Sequence, residues 1–329
     1  MNYRESKELK KCYEVINDWY KRKNKVLSIR TRPFNIFNIF YDVINKELNN
    51  KGSILYVWGS CNKEAINEKQ EEFISTIFNE DANTNKIDFV NYDEIDSIEK
   101  EYNLVIYDDI SLFSSKSKED IRIKIENLYW KSRKMIIYSM EYIFPIGEKY
   151  DLVYLRKNNP IIEPRILKTR IKLDEDIPLT LFEYFKWFNE NKKNVLIIVP
   201  TESLLDKVYY NYSNTLKKYN MKSIKYSKSQ DHKFINDILE GFHDGLFIIT
   251  NNIGDYIINI PNLNVIFLFS ENSKYNYKQI VNMCGMVSLD SNELSEVILA
   301  CKEPSQAMEE SKKITRRINR SVWEVKPTK

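Results

Sequence analysis

The chain has 329 residues, which is too long for one average domain and a natural length for two. Hydrophobic residues make up 43% of it, enough to form real cores, so wholesale disorder is excluded. The formal net charge is only +3, so the overall charge requires neither a nucleic-acid nor a membrane partner. Any basic surface must therefore be local.

Cysteine and histidine usage excludes two further classes of protein. No two of the four cysteines lie at metal-knuckle spacing, and His232 and His243 are the only histidines, so we expect neither a zinc site nor a disulfide framework. The N-terminus carries no apolar signal core, and no stretch of 18 apolar residues occurs. We expect a cytoplasmic protein without a membrane span, held at the inner face of a membrane only through partners.

The first half of the chain alternates helical patterns with short apolar runs. Helices are predicted at about 5–22, 34–49, 63–78 and 118–130, and strands at 54–58, 87–90, 104–107 and 134–138. A basic cluster, which we interpret as a surface feature, covers residues 21–32. Residues 145–178 are rich in proline and are predicted to be a linker with edge strands.

The alternation restarts in the second half. Helices are predicted at about 179–191, 203–219, 230–241, 276–286 and 305–320, and strands at 195–199, 223–226, 246–249, 265–269 and 297–299. Strands alternating with helices imply crossover connections and parallel sheets, which bury both faces and read as continuous apolar runs. The sequence therefore predicts an α/β fold with two similar lobes.

One candidate ligand site follows the strand at 54–58, because parallel sheets bind ligands beyond the carboxyl ends of their strands. A phosphate-binding loop there would end in Gly-Lys-Ser/Thr. The chain has instead Gly59, Ser60, Cys61, Asn62 and Lys63, and only 7 glycines in total. We interpret Gly59, Ser60, Asn62 and Lys63 as a degenerate phosphate loop, either a non-catalytic turn or a weak, altered nucleotide site.

A second candidate lies where the apolar strand at 104–107 runs into Asp108 and Asp109. An apolar strand that ends in two acids is the Walker B arrangement, in which the first acid holds Mg²⁺ and the second orients the attacking water. Alone the pattern is weak, because aspartate also caps the helix that follows a strand. The sequence leaves both the catalytic and the capping interpretation open.

In this order, the features resemble the comF operon protein A family, superfamily 2 helicase-like ATPases of bacterial competence. Residues 103–113 (NLVIYDDISLF) look like the family's Asp-Glu-Val-Asp box, with Asp108 at the magnesium position, Asp109 at the catalytic Glu and Ser111 at the last Asp. The resemblance covers about residues 30–320. It implies two RecA-like lobes, each a mostly parallel sheet flanked by helices, in domains 1–160 and 161–329.

In the second lobe, residues 195–201 (VLIIVPT) are similar to the motif that opens this lobe in the family. Residues 250–265 (TNNIGDYIINIPNLNV) are similar to the family segment Thr-Thr-Ile-Leu-Glu-Arg-Gly-Val-Thr-Phe-Pro-Asn-Val-Asp-Val. Thr250 and Asp255 keep register there, whereas Tyr256 and Ile257 replace Arg-Gly.

Residues 280–289 (IVNMCGMVSL) are similar to the family's Leu-Val-Gln-Ile-Ala-Gly-Arg-Val-Gly-Arg. Gly285 survives, but Met286 and Leu289 replace both arginines. Arginines at such positions stabilise charge on the transferring phosphate and are worth roughly 10³ to 10⁵ in rate. The resemblance thus implies Asp255 and Gly285 as remnants of a nucleotide site whose chemistry is lost.

The sequence supports three hypotheses about function. The first is a catalytically silent helicase-like protein that binds nucleic acid, in particular single-stranded DNA, through basic and hydroxyl side chains: Arg30, Arg32, Arg165, Arg170, Thr201, Thr250, Arg316 and Arg317. The second is an active ATP-driven DNA translocase that uses Lys63 and Asp108. The third is a non-enzymatic interaction subunit of the competence machinery. We expect no cofactor, with ATP and Mg²⁺ on Asp108 only if a nucleotide site survives.

Overall fold

The structure is a computed structural model that describes residues 3–35, 38–59, 70–71, 87–110, 116–152, 160–227, 238, 245–254, 257, 260–288 and 295–325. The chain divides into two compact units. The first unit comprises Met1–Asn159 with Ser321–Lys329, and the second comprises Pro160–Arg320. Most of the predicted helix at 63–78 and most of the one at 230–241 lie outside the described residues.

The first unit is built on a six-stranded sheet. Its strands are β1 Val26–Arg30, β2 Ile54–Trp58, β3 Ile87–Asn91, β4 Tyr102–Asp108, β5 Ser132–Ser139 and β6 Glu148–Asp151. The described helices are α1 Tyr3–Lys21, α2 Tyr41–Asn49 and α3 Lys118–Trp130, with 3₁₀ turns at Asn38–Phe40 and Tyr92–Ser97. The strand order is β3-β2-β4-β5-β1-β6, and every neighbouring pair is parallel.

Strand β1 is an element that the sequence pattern does not reveal. Its five residues lie between β5 and β6, with Val26, Leu27 and Ile29 buried. Basic residues flank this short run at both ends, so the pattern indicates only a charged surface cluster. Burial of the apolar residues of β1 against two neighbouring strands outweighs the cost of placing basic residues at both ends of this short run.

The second unit is also built on a six-stranded parallel sheet, with a different strand order. Its strands are β7 Arg165–Lys168, β8 Asn194–Ile198, β9 Lys222–Tyr226, β10 Leu246–Thr250, β11 Leu263–Leu268 and β12 Val297–Cys301. Its described helices are α4 Leu179–Glu190, α5 Glu202–Lys218, α6 Tyr277–Val287 and α7 Gln306–Val325, the last of which extends beyond the unit's boundary. The strand order is β7-β12-β11-β8-β10-β9, again with every pair parallel.

Local sequence explains where these helices begin. The Thr201 hydroxyl accepts a hydrogen bond from the Leu204 amide at the start of α5. Asn276 and Gln279 form a reciprocal capping box at the start of α6. Such caps satisfy amides that have no partner within the helix. Each cap fixes a helix start directly beyond the sheet edge at which ligand sites form.

The predicted α/β fold with two lobes of mostly parallel sheet is confirmed. Strands β2, β8, β10, β11 and β12 are buried along their whole length, as expected for sheets covered on both faces. In the part of the chain that the structure describes, no helix has the length and apolar character needed to span a membrane.

Candidate functional site

The strand order of the first sheet defines where a ligand site can form. The chain leaves β1 towards β2 and leaves β5 towards β6, so these neighbouring strands connect in opposite directions. The same holds for β2, which leads to β3, and its neighbour β4, which leads to β5. A crevice opens at the carboxyl ends of such strand pairs. The segments that follow β1, β2, β4 and β5 are therefore the candidate site.

Asp108 ends β4 at this edge, but its carboxylate is turned into the protein. The residue is 1% exposed. Its Oδ2 accepts a hydrogen bond from the Tyr56 hydroxyl at 2.6 Å, and its Oδ1 accepts one from the Ile110 amide at 2.9 Å. A magnesium-binding carboxylate needs an oxygen turned towards the metal and its waters. Among the described residues, the carboxylate of Asp108 is thus held inside the protein by Tyr56 and Ile110.

The register of the sheet explains this contact. Trp58 on β2 lies opposite Asp108 on β4, so Tyr56 is the diagonal neighbour of Asp108 on the same face. Burial, together with the negative charge of Asp108, raises the pKa of Tyr56 well above its ordinary value. The Tyr56 hydroxyl therefore stays protonated and donates a hydrogen bond to the carboxylate.

The loops at this edge are joined directly by their backbones. Four hydrogen bonds of 2.8–3.0 Å connect the segments after β1, β2, β4 and β5: Gly59 N to Asp108 O, Asp109 N to Tyr138 O, Thr31 N to Ser139 O, and Phe34 N to Ile110 O. Backbone groups that bond each other across the crevice do not point at a ligand. At this edge, these four amides of the described residues are thus occupied by the protein's own carbonyl groups.

The segment after β1 is a part of the site that the sequence pattern does not identify. It runs from strand through turn to helix, the connection on which phosphate loops are built. Thr31, Arg32 and Asn35 are buried in it, and the Asn35 amide donates to the Thr31 hydroxyl at 2.7 Å. This segment could have been identified only if residues 26–30 had first been recognised as a strand.

Phe34 lies in this segment with a φ of 54°. That left-handed backbone conformation costs a bulky residue about 1 kcal/mol or more and is normally taken by glycine. Strained positions of this kind cluster at functional sites and persist where the surroundings enforce them. The backbone at Phe34 therefore has a glycine-like conformation, although the residue is not glycine.

Gly59 is packed against Asp109, which stands at the position of the catalytic acid in the resembled family. A Cβ added at Gly59 would lie 2.7 Å from Asp109 Oδ1 and 3.3 Å from Asp109 Cα. Several residues of sequence interest lie outside the described residues: Ser60, Asn62, Lys63, Ser111, His232, His243, Asp255, Tyr256 and Leu289. Their proposed roles stay predictions.

We expect Gly59→Ala to destabilise the protein by about 1–2 kcal/mol, because the new methyl group overpacks against the Asp109 carboxylate. Urea denaturation followed by circular dichroism measures this, with Asn49→Ala on an exposed helix end as the control. Unchanged stability of Gly59→Ala would contradict the close approach of these loops.

In the second unit, Thr201 and Thr250 come together at one sheet edge. Thr250 ends β10 and pairs with Ile198 at the end of β8, which Thr201 follows. Its hydroxyl accepts from the Asn252 amide at 2.9 Å. Beside them, the Glu202 carboxylate accepts hydrogen bonds from Ser227 and Asn251. This carboxylate supplies the negative charge that the N-terminus of α5 attracts.

Gly285 and Met286 are buried on α6, so this helix presents no cation at either position. Among the described residues, no group of three or more His, Cys, Asp or Glu side chains could hold a metal ion.

The arginines predicted to contact nucleic acid have different surroundings. Arg32 is buried, and burial lowers its pKa to about 10. Three others form ion pairs: Arg30 with Asp151 at 2.5 and 2.9 Å, Arg165 with Glu296 at 2.8 Å, and Arg316 with Glu163 at 2.6 Å. Arg170 is exposed and Arg317 is half-buried. Exposed pairs stabilise by about 0–1 kcal/mol, so phosphates can replace the carboxylates at small cost.

No protein-family model and no curated protein sequence matches this chain. Solved structures do. RecG bound to a three-way DNA junction is 12% identical with a TM-score of 0.51, and the match covers 97% of this chain and 46% of that one. The DEAD-box helicase Mss116 bound to ssRNA and UDP-BeF is 14% identical with a TM-score of 0.55, and the match covers 98% of this chain and 78% of that one. The E. coli DExH-box NTPase HrpB is 11% identical with a TM-score of 0.54, and the match covers 93% of this chain and 42% of that one.

The chain spans less than half the length of the RecG and HrpB chains. At these low identities the likeness establishes the fold alone. The predicted pair of RecA-like lobes, each a parallel sheet flanked by helices, is confirmed.

Proposed function

We propose that this protein is a degenerate superfamily 2 helicase-like protein, related to the competence DNA-uptake ATPases, that binds nucleic acid without efficient ATP hydrolysis. We further propose single-stranded DNA as its ligand. The observation that carries the proposal is the buried carboxylate of Asp108, whose two oxygens accept hydrogen bonds from Tyr56 and Ile110.

The Asp108 contacts bear on the hydrolysis step. For Asp108 to turn towards Mg²⁺, its hydrogen bonds from the Tyr56 hydroxyl and the Ile110 amide would have to weaken, and any that broke would leave a buried donor without its acceptor. Each such group costs about 1–3 kcal/mol. Phosphoryl transfer depends on metal ions that bridge and neutralise the phosphate oxygens. A protein that must break this arrangement to bind magnesium is a poor ATPase.

The two segments that stand where a phosphate loop would lie support the same proposal. Residues 31–40, between β1 and α2, contain neither glycine nor lysine, and the segment that begins at Gly59 lacks the Gly-Lys-Ser/Thr order. A phosphate loop requires backbone amides that approach the phosphates closely and a lysine that reaches them. With Met286 buried where the resembled family has an arginine, three separate parts of the motor are altered.

Nucleic-acid binding is proposed from the fold and from the placement of basic residues. RecG and Mss116, which share the fold, have been solved with a DNA junction and with ssRNA. In this chain Arg170 is exposed, and Arg165 and Arg316 are held only by surface ion pairs. Contacts of this type bind phosphates with a strong salt dependence.

The binding test is fluorescence anisotropy with labelled single-stranded DNA across a salt series. Each phosphate contact contributes roughly 0.7 to the slope of log affinity against log salt. We expect salt-dependent binding that weakens in Arg170→Ala and Arg316→Ala and is unchanged in Lys192→Ala, a basic-residue control outside the proposed set. Absence of salt-dependent binding at low salt would refute the nucleic-acid proposal.

The catalytic test is ATP hydrolysis with and without single-stranded DNA at high protein concentration. We expect no turnover above background. DNA-stimulated hydrolysis that disappears in Lys63→Ala and in Asp108→Ala would instead establish an active translocase. If neither DNA binding nor hydrolysis is found, capture of competence-machinery proteins from nuclease-treated extract would support the remaining hypothesis of an interaction subunit.

A further inference from the structure

A pocket of about 380 Å³ lies on the second unit, away from its β8 and β10 sheet edge. It is lined by Thr180, Glu183, Tyr184 and Trp187 of α4 and by Glu296, which precedes β12. The spacing of the four helix residues places them on one face of α4. The neighbouring face of α4 carries Leu181, Phe185 and Phe188 into the core. The size falls in the range of small-ligand sites.

The residues that line this pocket include two aromatic side chains and two glutamates, and most of its surface is apolar. The faces of Trp and Tyr rings attract cations through their quadrupoles, and arginine and quaternary or alkyl ammonium groups are the usual ligands of such walls. The carboxylates of Glu183 and Glu296 carry negative charge, which also attracts cations. The pocket adjoins one of the proposed nucleic-acid contacts, because Arg165 pairs with Glu296.

The acidic wall at Glu296 is held rigidly. The Glu296 amide donates to Asn264 Oδ1 at 2.8 Å, and its carbonyl accepts from the Val265 amide at 3.0 Å. Its side chain is 17% exposed. Burial raises the pKa of Glu296, while the charge of Arg165 acts in the opposite direction. A partly desolvated carboxylate in a fixed place gains from additional positive charge.

Both carboxylates already contact cations of the kind the pocket would bind. Arg165, 63% exposed, pairs with Glu296 at 2.8 Å, and Lys186 pairs with Glu183 at 2.8 Å. Exposed pairs contribute little, because solvent screens them and ordering the side chains costs entropy. A ligand cation would also stack on Tyr184 and Trp187. The ion pairs of Arg165 and Lys186 can rearrange to admit it at small cost.

We propose that this pocket binds an organic cation through a guanidinium group. The charged group lies between Glu183 and Glu296, and its flat face or methylenes pack on Tyr184 and Trp187. The group comes either from a free polyamine-like molecule or from an arginine side chain of a protein. The proposal is independent of ATP hydrolysis, and it shares with the proposed DNA contacts only Arg165, the partner of Glu296.

The test is isothermal titration of the full chain with agmatine and with N-carbamoylputrescine, its analogue with an uncharged urea in place of the guanidinium and nearly the same shape. We expect agmatine to bind and the analogue to bind at least roughly fivefold more weakly. A second pair of probes, a short peptide with one arginine and the same peptide with citrulline, distinguishes the sources. Tighter binding of the arginine peptide than of agmatine identifies a protein side chain, and the reverse identifies a free cation.

Variants assign the binding to the pocket. Glu183→Gln, Glu296→Gln and Trp187→Leu should each weaken agmatine binding by roughly fivefold, as loss of one charge or stacking contact implies. Glu190→Gln, at the exposed end of the same helix, should leave it unchanged. Circular dichroism melts identify any variant that is misfolded. If Glu296→Gln or Trp187→Leu is misfolded, Glu183→Gln decides the test, because Glu183 is exposed. Equal affinity for both members of each probe pair, no binding of any probe at millimolar concentration, or binding insensitive to these variants would overturn the proposal.

Discussion

Asp108→Ala should destabilise the first unit by about 2–4 kcal/mol. The substitution leaves the buried Tyr56 hydroxyl and Ile110 amide without their acceptor, and an unsatisfied buried donor costs about 1–3 kcal/mol. A carboxylate that faces a metal site in the free protein would behave in the opposite way, because its removal relieves unfavourable charge. Stability is therefore a direct test of the orientation of Asp108.

A double-mutant cycle with Tyr56→Phe separates the contact from the general effect of each change. We expect the two substitutions together to cost less than the sum of their separate costs, since either one breaks the same hydrogen bond. Urea denaturation gives the free energies, and hydrogen exchange of peptides from β4 shows that the loss is local. Native stability of Asp108→Ala, combined with loss of Mg-ATP binding, would contradict the structural role.

The fold was largely predictable because its strongest signals are local. Strand β2 was predicted with the bounds it has, since a five-residue apolar run between turn residues has few other uses. The buried strands β8, β10 and β12 gave the same signal, and the structure shifts their ends by one or two residues. Strand β1 gave no such signal because its apolar run is short and bounded by charge.

The candidate site was less predictable because it depends on sheet register. The sequence showed that Asp108 follows an apolar strand, but not that Tyr56 would be its diagonal neighbour. That pairing comes from the alignment of β2 with β4, which are distant in sequence and have no turn to fix their register. The burial of Arg32 has the same origin, because it depends on β1, which the pattern did not reveal.

Phe185→Ala should destabilise the second unit by about 3–5 kcal/mol, the usual cost of deleting a buried aromatic side chain. Phe185 is fully buried, and its ring lies 5.3 Å from that of Phe247 and 6.3 Å from that of Tyr212, both in edge-on geometry. These contacts join α4 to β10 and α5. No other side chain of α4 touches both partners through its ring among the ring contacts of the described residues.

Leu179→Ala is the matched control, because Leu179 is an apolar residue of the same helix that is 72% exposed. It should change stability by about 0.5 kcal/mol or less. Denaturant unfolding measures both variants, and hydrogen exchange of peptides from β8 and β10 should accelerate only in Phe185→Ala. Equal effects at the two positions would mean that α4 does not dock through its Phe185 face. Because Tyr184 and Trp187 are positioned by that docking, Phe185→Ala should also weaken agmatine binding, whereas Leu179→Ala should not.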